Sequence, residues 1–194
     1  PLAALPAAPG QAGLFEEAAA NPAAALLRTE GFAVEYLVDP AAAEAAVKRL
    51  AAAPGVLGLD IETAKTPAYR DHAGAGLDPH LSRIRLVQVA TAGEVVVFDL
   101  GRLPLALLEP LWSRPLAAHN AGFELKHLLH AGADPAKLHC TLLLDRVRSG
   151  QRRSLAAVCQ DRLAWTLDKQ WQLSGWNAAQ LSQEQVAYAA LDAA

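Results

Sequence analysis

Strands come early in this chain and helices late. FAVEYLVD, from Phe32, alternates apolar and polar positions as a half-buried strand does, and PAAAEAAVKRLAAA reads as a helix with Pro40 in its first turn. GVLGLDIET, from Gly55 to Thr63, is a second strand that ends in two acids one residue apart. Alternate strand residues share a face, so Leu57, Leu59 and Ile61 point one way and Gly58, Asp60 and Glu62 the other. RIRLVQVAT and EVVVFDL, rich in β-branched residues, form a hairpin through Ala92 and Gly93. LPLALLEPLW is a short helix, PLAAHN a short buried strand, and GFELKHLLHAG a helix closed by Gly132. CTLLLDRVRSG, SLAAVCQDRLA and SQEQVAYAALDAA are helical by period. The pattern predicts an α/β fold, a sheet with helices packed against it.

The first residues lack large side chains. Residues 1–31 are rich in Ala and Pro and read as a linker or tether with a short helix, ahead of one domain over 32–194. AKTPAYRDHAGAGLDPHLS, after the acidic strand, is polar and Gly-containing, an insertion outside the core. The chain has 194 residues, 53% of them hydrophobic, enough for a substantial core. A net charge of -3 argues against coating nucleic acid by bulk electrostatics, so local placement of charge has to decide. Two cysteines, Cys140 and Cys159, make neither a disulfide framework nor a Cys-rich zinc site; they read as buried small hydrophobes in a protein of the reducing cytoplasm. No apolar run reaches the roughly 20 residues a membrane span needs. With Pro1 first and no signal peptide, the chain reads as a fragment of a larger protein.

The acids are the main chemical clue. Two neighbouring carboxylates in partly desolvated surroundings cost on the order of a few kcal/mol, unless one takes a proton or a cation lies between them. HNAGFELKHLL places His119 and Asn120 at a strand end and Glu124 in the first turn of a helix, where an acid also simply complements the helix dipole. Ser182 stands three residues before Gln185, a capping-box start, and sets Tyr188 and Asp192 one turn apart on one helical face. Alone, that pair reads as a surface Asp beside a half-buried Tyr. DIE, then N-x-x-x-E, then Y-x-x-x-D, in this order and on these elements, resembles the DEDDy branch of the DnaQ-like 3'-5' exonucleases. That branch includes the proofreading domains of DNA polymerase I-type enzymes and ribonuclease D. The resemblance runs from about Phe32 to the end. Within DKQWQLSGW, Lys169, Gln172, Ser174 and Trp176 match a run seen in ribonuclease D-like members, with Gly175 in place of an acid.

The resemblance implies a ribonuclease H-like mixed β-sheet flanked by α-helices, and two divalent cations, Mg or Mn, held by oxygen ligands. It implies that Asp60 bridges both ions, that Glu62 and Asp192 complete the first site, and that Glu124 serves the second through water. Tyr188 orients the attacking water. Thr63 and Asn120 are candidates to hold the terminal sugar and phosphate, Phe123 reads either as an aromatic face for the terminal base or as a core Phe on its helix, and Lys169 and Gln172 join the substrate-binding set. Arg146, Arg148, Arg152 and Arg153 form either a backbone-binding rim or a solvated helix end. His119 is read as a strand-end histidine bonded to backbone. Glu124 replaces the family's usual Asp, and the loop after DIET is enlarged, with Lys65, Tyr69 and Arg70 within reach of the site. The implied substrate is nucleic acid with a free 3' end, DNA ahead of RNA, in a chain covalently linked to a polymerase or other replication module. Ribonuclease D-like RNA trimming is the first alternative, and an inactive nucleic-acid-binding module, kept open by Glu124 and Gly175, is the second.

Overall fold

The computed structural model describes residues 24–29, 32–167 and 175–194. Its strands are β1 (Ala24–Thr29), β2 (Phe32–Leu37), β3 (Leu57–Lys65), β4 (Ser82–Ala90), β5 (Glu94–Asp99), β6 (Pro115–Ala118) and β7 (Lys137–Cys140). Among the described residues these make one sheet in the order β1-β2-β5-β4-β3-β6-β7. β3, β4 and β5 are antiparallel neighbours, whereas β2 joins β5, and β6 joins β3 and β7, in parallel. The mixed sheet expected from the sequence is therefore present. Two strands lay outside that expectation. β1 falls within the segment read as a tether and pairs along β2, whose outer edge would otherwise expose an open ladder. β7 is four residues long, too short for its alternation to be read as a period.

The helices are α1 (Pro40–Ala52), α2 (Glu109–Trp112), α3 (Gly122–His130), α4 (Thr141–Ser149), α5 (Leu155–Leu163) and α6 (Gln183–Ala193). α1 starts where Asp39 accepts a hydrogen bond from the Ala42 amide at 2.9 Å, with Pro40 inside the first turn. Arg114 then fixes the turn into β3 by donating to the carbonyls of Ala51, Ala53 and Gly55. Leu57, Leu59 and Ile61 enter one core with α1, α2, Leu128 of α3 and Val87, Val89, Val96 and Phe98. Burying each such side chain contributes about 1.5–3 kcal/mol.

The opposite face of the sheet is covered by α6. Val186, Tyr188, Ala189, Ala190 and Ala193 pack on Leu86, Ala90, Val95, Val97 and Trp176. Ser182 accepts from the Gln185 amide at 3.2 Å and Gln185 reaches back to the Ser182 amide at 2.9 Å, the expected capping box. A buried ion pair of Arg85 with Asp99, to which Tyr36 also donates, lies under the segment before α6. Arg85 extends from it to the Ala178 carbonyl at 3.4 Å. Among the described residues no helix is long and apolar enough to cross a membrane.

Gly58 decides how low α6 sits. A Cβ on Gly58 would overlap the Ala193 backbone carbonyl and come within 3.2 Å of the Ala90 side chain. Helix backbone on one side and the short Ala90 side chain on the other leave no flexible group to yield. Gly58→Ala is expected to cost about 1–3 kcal/mol by overpacking. Urea unfolding measures that loss, and cation affinity should fall with it as the end of α6 is pushed away from β3.

Candidate active site

β6 pairs only with Leu57 and Gly58 of β3, so beyond Gly58 one edge of β3 is open. Asp60 and Glu62 stand on that open stretch. The chain leaves β6 through His119 and Asn120, the latter in the left-handed region at φ 66°, a conformation Asn tolerates better than most residues. It enters α3 at once, which brings Glu124 in the first helical turn to the open edge. α6 crosses Gly58 from the other face and presents Tyr188 and Asp192. Ligand oxygens of Asp60, Glu62 and Asp192 lie within 4.8 Å of one another. Glu124 stands beside this cluster, 2% exposed, close enough for its charge to raise the pKa of Asp60. Its Oε2 has no hydrogen-bond partner among the described residues.

The electrostatics follow from that crowding. Burial, and after it Glu62, Glu124 and Asp192, raise Asp60 well above the usual carboxylate range. Burial together with Asp192 and Glu124 pushes Glu62 up to about 9. Burial pushes Glu124 up to about 7. The Tyr188 hydroxyl is also raised, by burial first and then by Asp192, so it is a neutral donor at physiological pH. Three half-buried carboxyls beside a buried Glu124 whose Oε2 has no hydrogen-bond partner among the described residues match the demands of a hard divalent cation, which takes oxygen donors.

The cluster forms the floor of a cleft of about 1060 Å³. Thr63, Asn120 and Phe123 line it, together with Lys65, Arg70, Arg152 and Trp176. Thr63 is turned by a register shift between Glu62 and Thr63 and donates to the Gly76 carbonyl at 2.7 Å. Its hydroxyl thus fastens the insertion. That insertion folds into two 3₁₀ turns, Pro67–Tyr69 and Ala75–Leu77, and Lys126 donates to the Leu77 carbonyl. Lys65 and Arg70 reach the cleft, while Tyr69 is outside its lining. Phe123 is half-buried, with Lys126 5.4 Å above its ring.

His119 makes contacts on both ring nitrogens, to Thr141 Oγ1 and to the Arg153 carbonyl, each at 3.1 Å. Of the four arginines, Arg152 and Arg153 line the cleft, but Arg153 is held by Asp145 at 2.5 Å and Asp161 at 3.1 Å. Cys159 is buried and Cys140 half-buried. Lys169, Gln172 and Ser174 lie outside the described residues. Sequence reasoning missed Gly58's steric part. A small residue two positions before the first acid, facing the same way, was the only available signal.

A family model described as 3'-5' exonuclease matches residues 34–194. The chain belongs to that family. DNA polymerase I of Aquifex aeolicus (strain VF5) is 32% identical to this exonuclease domain over 162 residues, covering 81% of this chain and 25% of the polymerase. The chain thus spans a quarter of that relative's length. Among solved structures, Brucella melitensis NrnC bound to pGG is 29% identical, with a TM-score of 0.60 over 71% of this chain and 66% of that one. The same protein has a structure with bound Mg2+. Escherichia coli RNase D, an exoribonuclease involved in structured RNA processing, shares the fold, with a TM-score of 0.69 at 21% identity over 81% of this chain and 40% of that one.

Carboxyls whose folded pKa values are raised hold protons that the unfolded chain has already lost. What these groups contribute to the stability of the cation-free protein is therefore fully present only below the unfolded carboxylate range, near pH 4. It falls as pH rises through about 7 for Glu124 and about 9 for Glu62. The unfolding temperature in EDTA should drop between pH 5 and pH 9, and Glu62→Gln should flatten the drop. Calorimetry across that range checks both.

Proposed function

We propose that this domain hydrolyses phosphodiester bonds from the 3' end of single-stranded or frayed DNA, with two divalent cations, Mg or Mn. One observation carries the reading: three carboxylates with ligand oxygens within 4.8 Å, beside a buried Glu124, on the floor of an open cleft in an exonuclease-family chain. Asp60, Glu62, Asp192 and Glu124 would hold the cations, with Asp60 shared between them. When bound, the cations supply a nucleophilic hydroxide at neutral pH and neutralise charge at the phosphoryl and leaving oxygens.

The remaining roles belong to the chain. Tyr188, kept protonated beside Asp192, orients the attacking water and does not act as a base. Phe123 offers an aromatic face to the terminal base, a contact that tolerates any base. Asn120 and Thr63 border the place of the terminal sugar. Lys65, Arg70 and Arg152, on the cleft walls, hold phosphates farther along the strand. The DNA polymerase I relative supports DNA as substrate and a linked polymerase module in the whole protein. RNA trimming is the second reading, supported by the fold shared with an exoribonuclease.

The test is digestion of 5'-labelled single-stranded DNA and RNA of matched sequence. Shortening from the 3' end that stops in EDTA, faster on DNA and on mismatched than on matched duplex ends, is expected. Faster RNA shortening selects the second reading, and binding without cleavage in either metal leaves only a binding module. Asp60→Asn should abolish turnover. Tyr188→Phe should lower it about 10-fold or more with cation affinity and fold intact.

Glu124 supplies a separate test. Its carboxylate sits one methylene farther along than the Asp usual in the family, which favours Mn, with its looser geometry, over near-octahedral Mg. Glu124→Asp should bring Mg-supported activity at least to the Mn level. Parent-like activity of Glu124→Ala in both metals would return Glu124 to a helix-start acid.

A further inference from the structure

Gln88 sits in the middle of β4, 0% exposed, and neither its Oε1 nor its Nε2 has a hydrogen-bond partner among the described residues. Its partner across the β3–β4 ladder is Asp60. Directly opposed residues of an antiparallel pair share a face, with Cβ atoms about 4.5–5.5 Å apart. On its other side Gln88 is opposed to Val97 of β5. The surrounding layer under α6 is apolar, made of Leu86, Ala90, Val95, Val97, Ala189 and Ala190. Asp60 is thus the polar group in Gln88's own row of the sheet.

A buried amide with both ends unpaired is costly, whereas an apolar side chain of similar length would satisfy the same packing. Packing alone does not account for glutamine here. A carboxylate that binds cations through one oxygen has acceptor sites left over, and donors that occupy them hold the ligand in its working orientation.

We propose that Gln88 is a positioning residue whose amide N–H holds the Asp60 carboxylate from within the sheet while Asp60 serves the cations. The inference rests on the reading of Asp60 as a cation ligand. Gln88 touches neither substrate nor the reacting atoms, so its effect falls on cation affinity and turnover and not on substrate binding.

The experiment compares Gln88→Leu and Gln88→Met with the wild-type chain. It measures Mn2+ affinity by isothermal titration calorimetry, unfolding temperature in EDTA, and kcat and KM on a single-stranded oligonucleotide. The expected result is Mn2+ affinity lowered about 10- to 100-fold, kcat lowered, KM unchanged, and an unfolding temperature in EDTA that is unchanged or raised. That opposition between stability and activity is what a packing role would not produce. Wild-type affinity and kcat in the variants would overturn the proposal while leaving the exonuclease reading in place. So would losses that track a lowered unfolding temperature in both variants. A wild-type chain that binds no Mn2+ overturns the ligand reading of Asp60 and the role of Gln88 together.

Discussion

Mutual repulsion among carboxyl groups, held in place by an apolar framework, is the constraint on which this structure turns. Asp60, Glu62, Glu124 and Asp192 come from β3, α3 and α6, and nothing about their own interaction favours the gathering. The raised pKa values of Asp60, Glu62 and Glu124 express that cost. The arrangement stands because two apolar cores, one on each face of the sheet, fix the three elements independently of the acids. The work of folding is done by Leu57, Leu59, Ile61 and their neighbours. The acids are carried along on the alternate positions of the same strand.

Close approach is the second requirement. α6 meets the sheet through alanines, with Ala189, Ala190 and Ala193 buried against Ala90 and the bare backbone of Gly58. Small residues on both sides let the helix backbone come down far enough for Asp192 to join the two acids of β3. Larger side chains would bury more apolar area there and would lift Asp192 out of reach. Stability has been exchanged for position at this contact, and the capping box at Ser182 and the Arg85 anchor at Ala178 hold the other end of the segment.

The cleft combines an acidic floor with basic walls. Lys65 and Arg70 come from the end of β3 and the insertion, and Arg152 from the turn between α4 and α5. The insertion is tied to the site at two points, Thr63 to Gly76 and Lys126 to Leu77. Asn177 ties the segment before α6 to the Lys65 carbonyl at 3.0 Å. A net-acidic chain thereby places its positive charge where a polyanion would pass, which bulk composition conceals.

By itself the sequence determined the strand that carries Asp60 and Glu62, the helix start that carries Glu124 and the capped helix that carries Tyr188 and Asp192. Each of these is written in local periodicity and capping, which depend on neighbours a few residues away. It also determined the family, because three short motifs in a set order carry the resemblance. Tertiary structure decided the rest. The burial of Glu124, the orphan amide of Gln88 opposite Asp60, the closeness of Gly58 to Ala193 and the pairing of β1 and β7 at the sheet's edges are contacts between residues far apart in the chain. No local pattern encodes them, since each depends on which strand lies beside which and on how closely a helix crosses it.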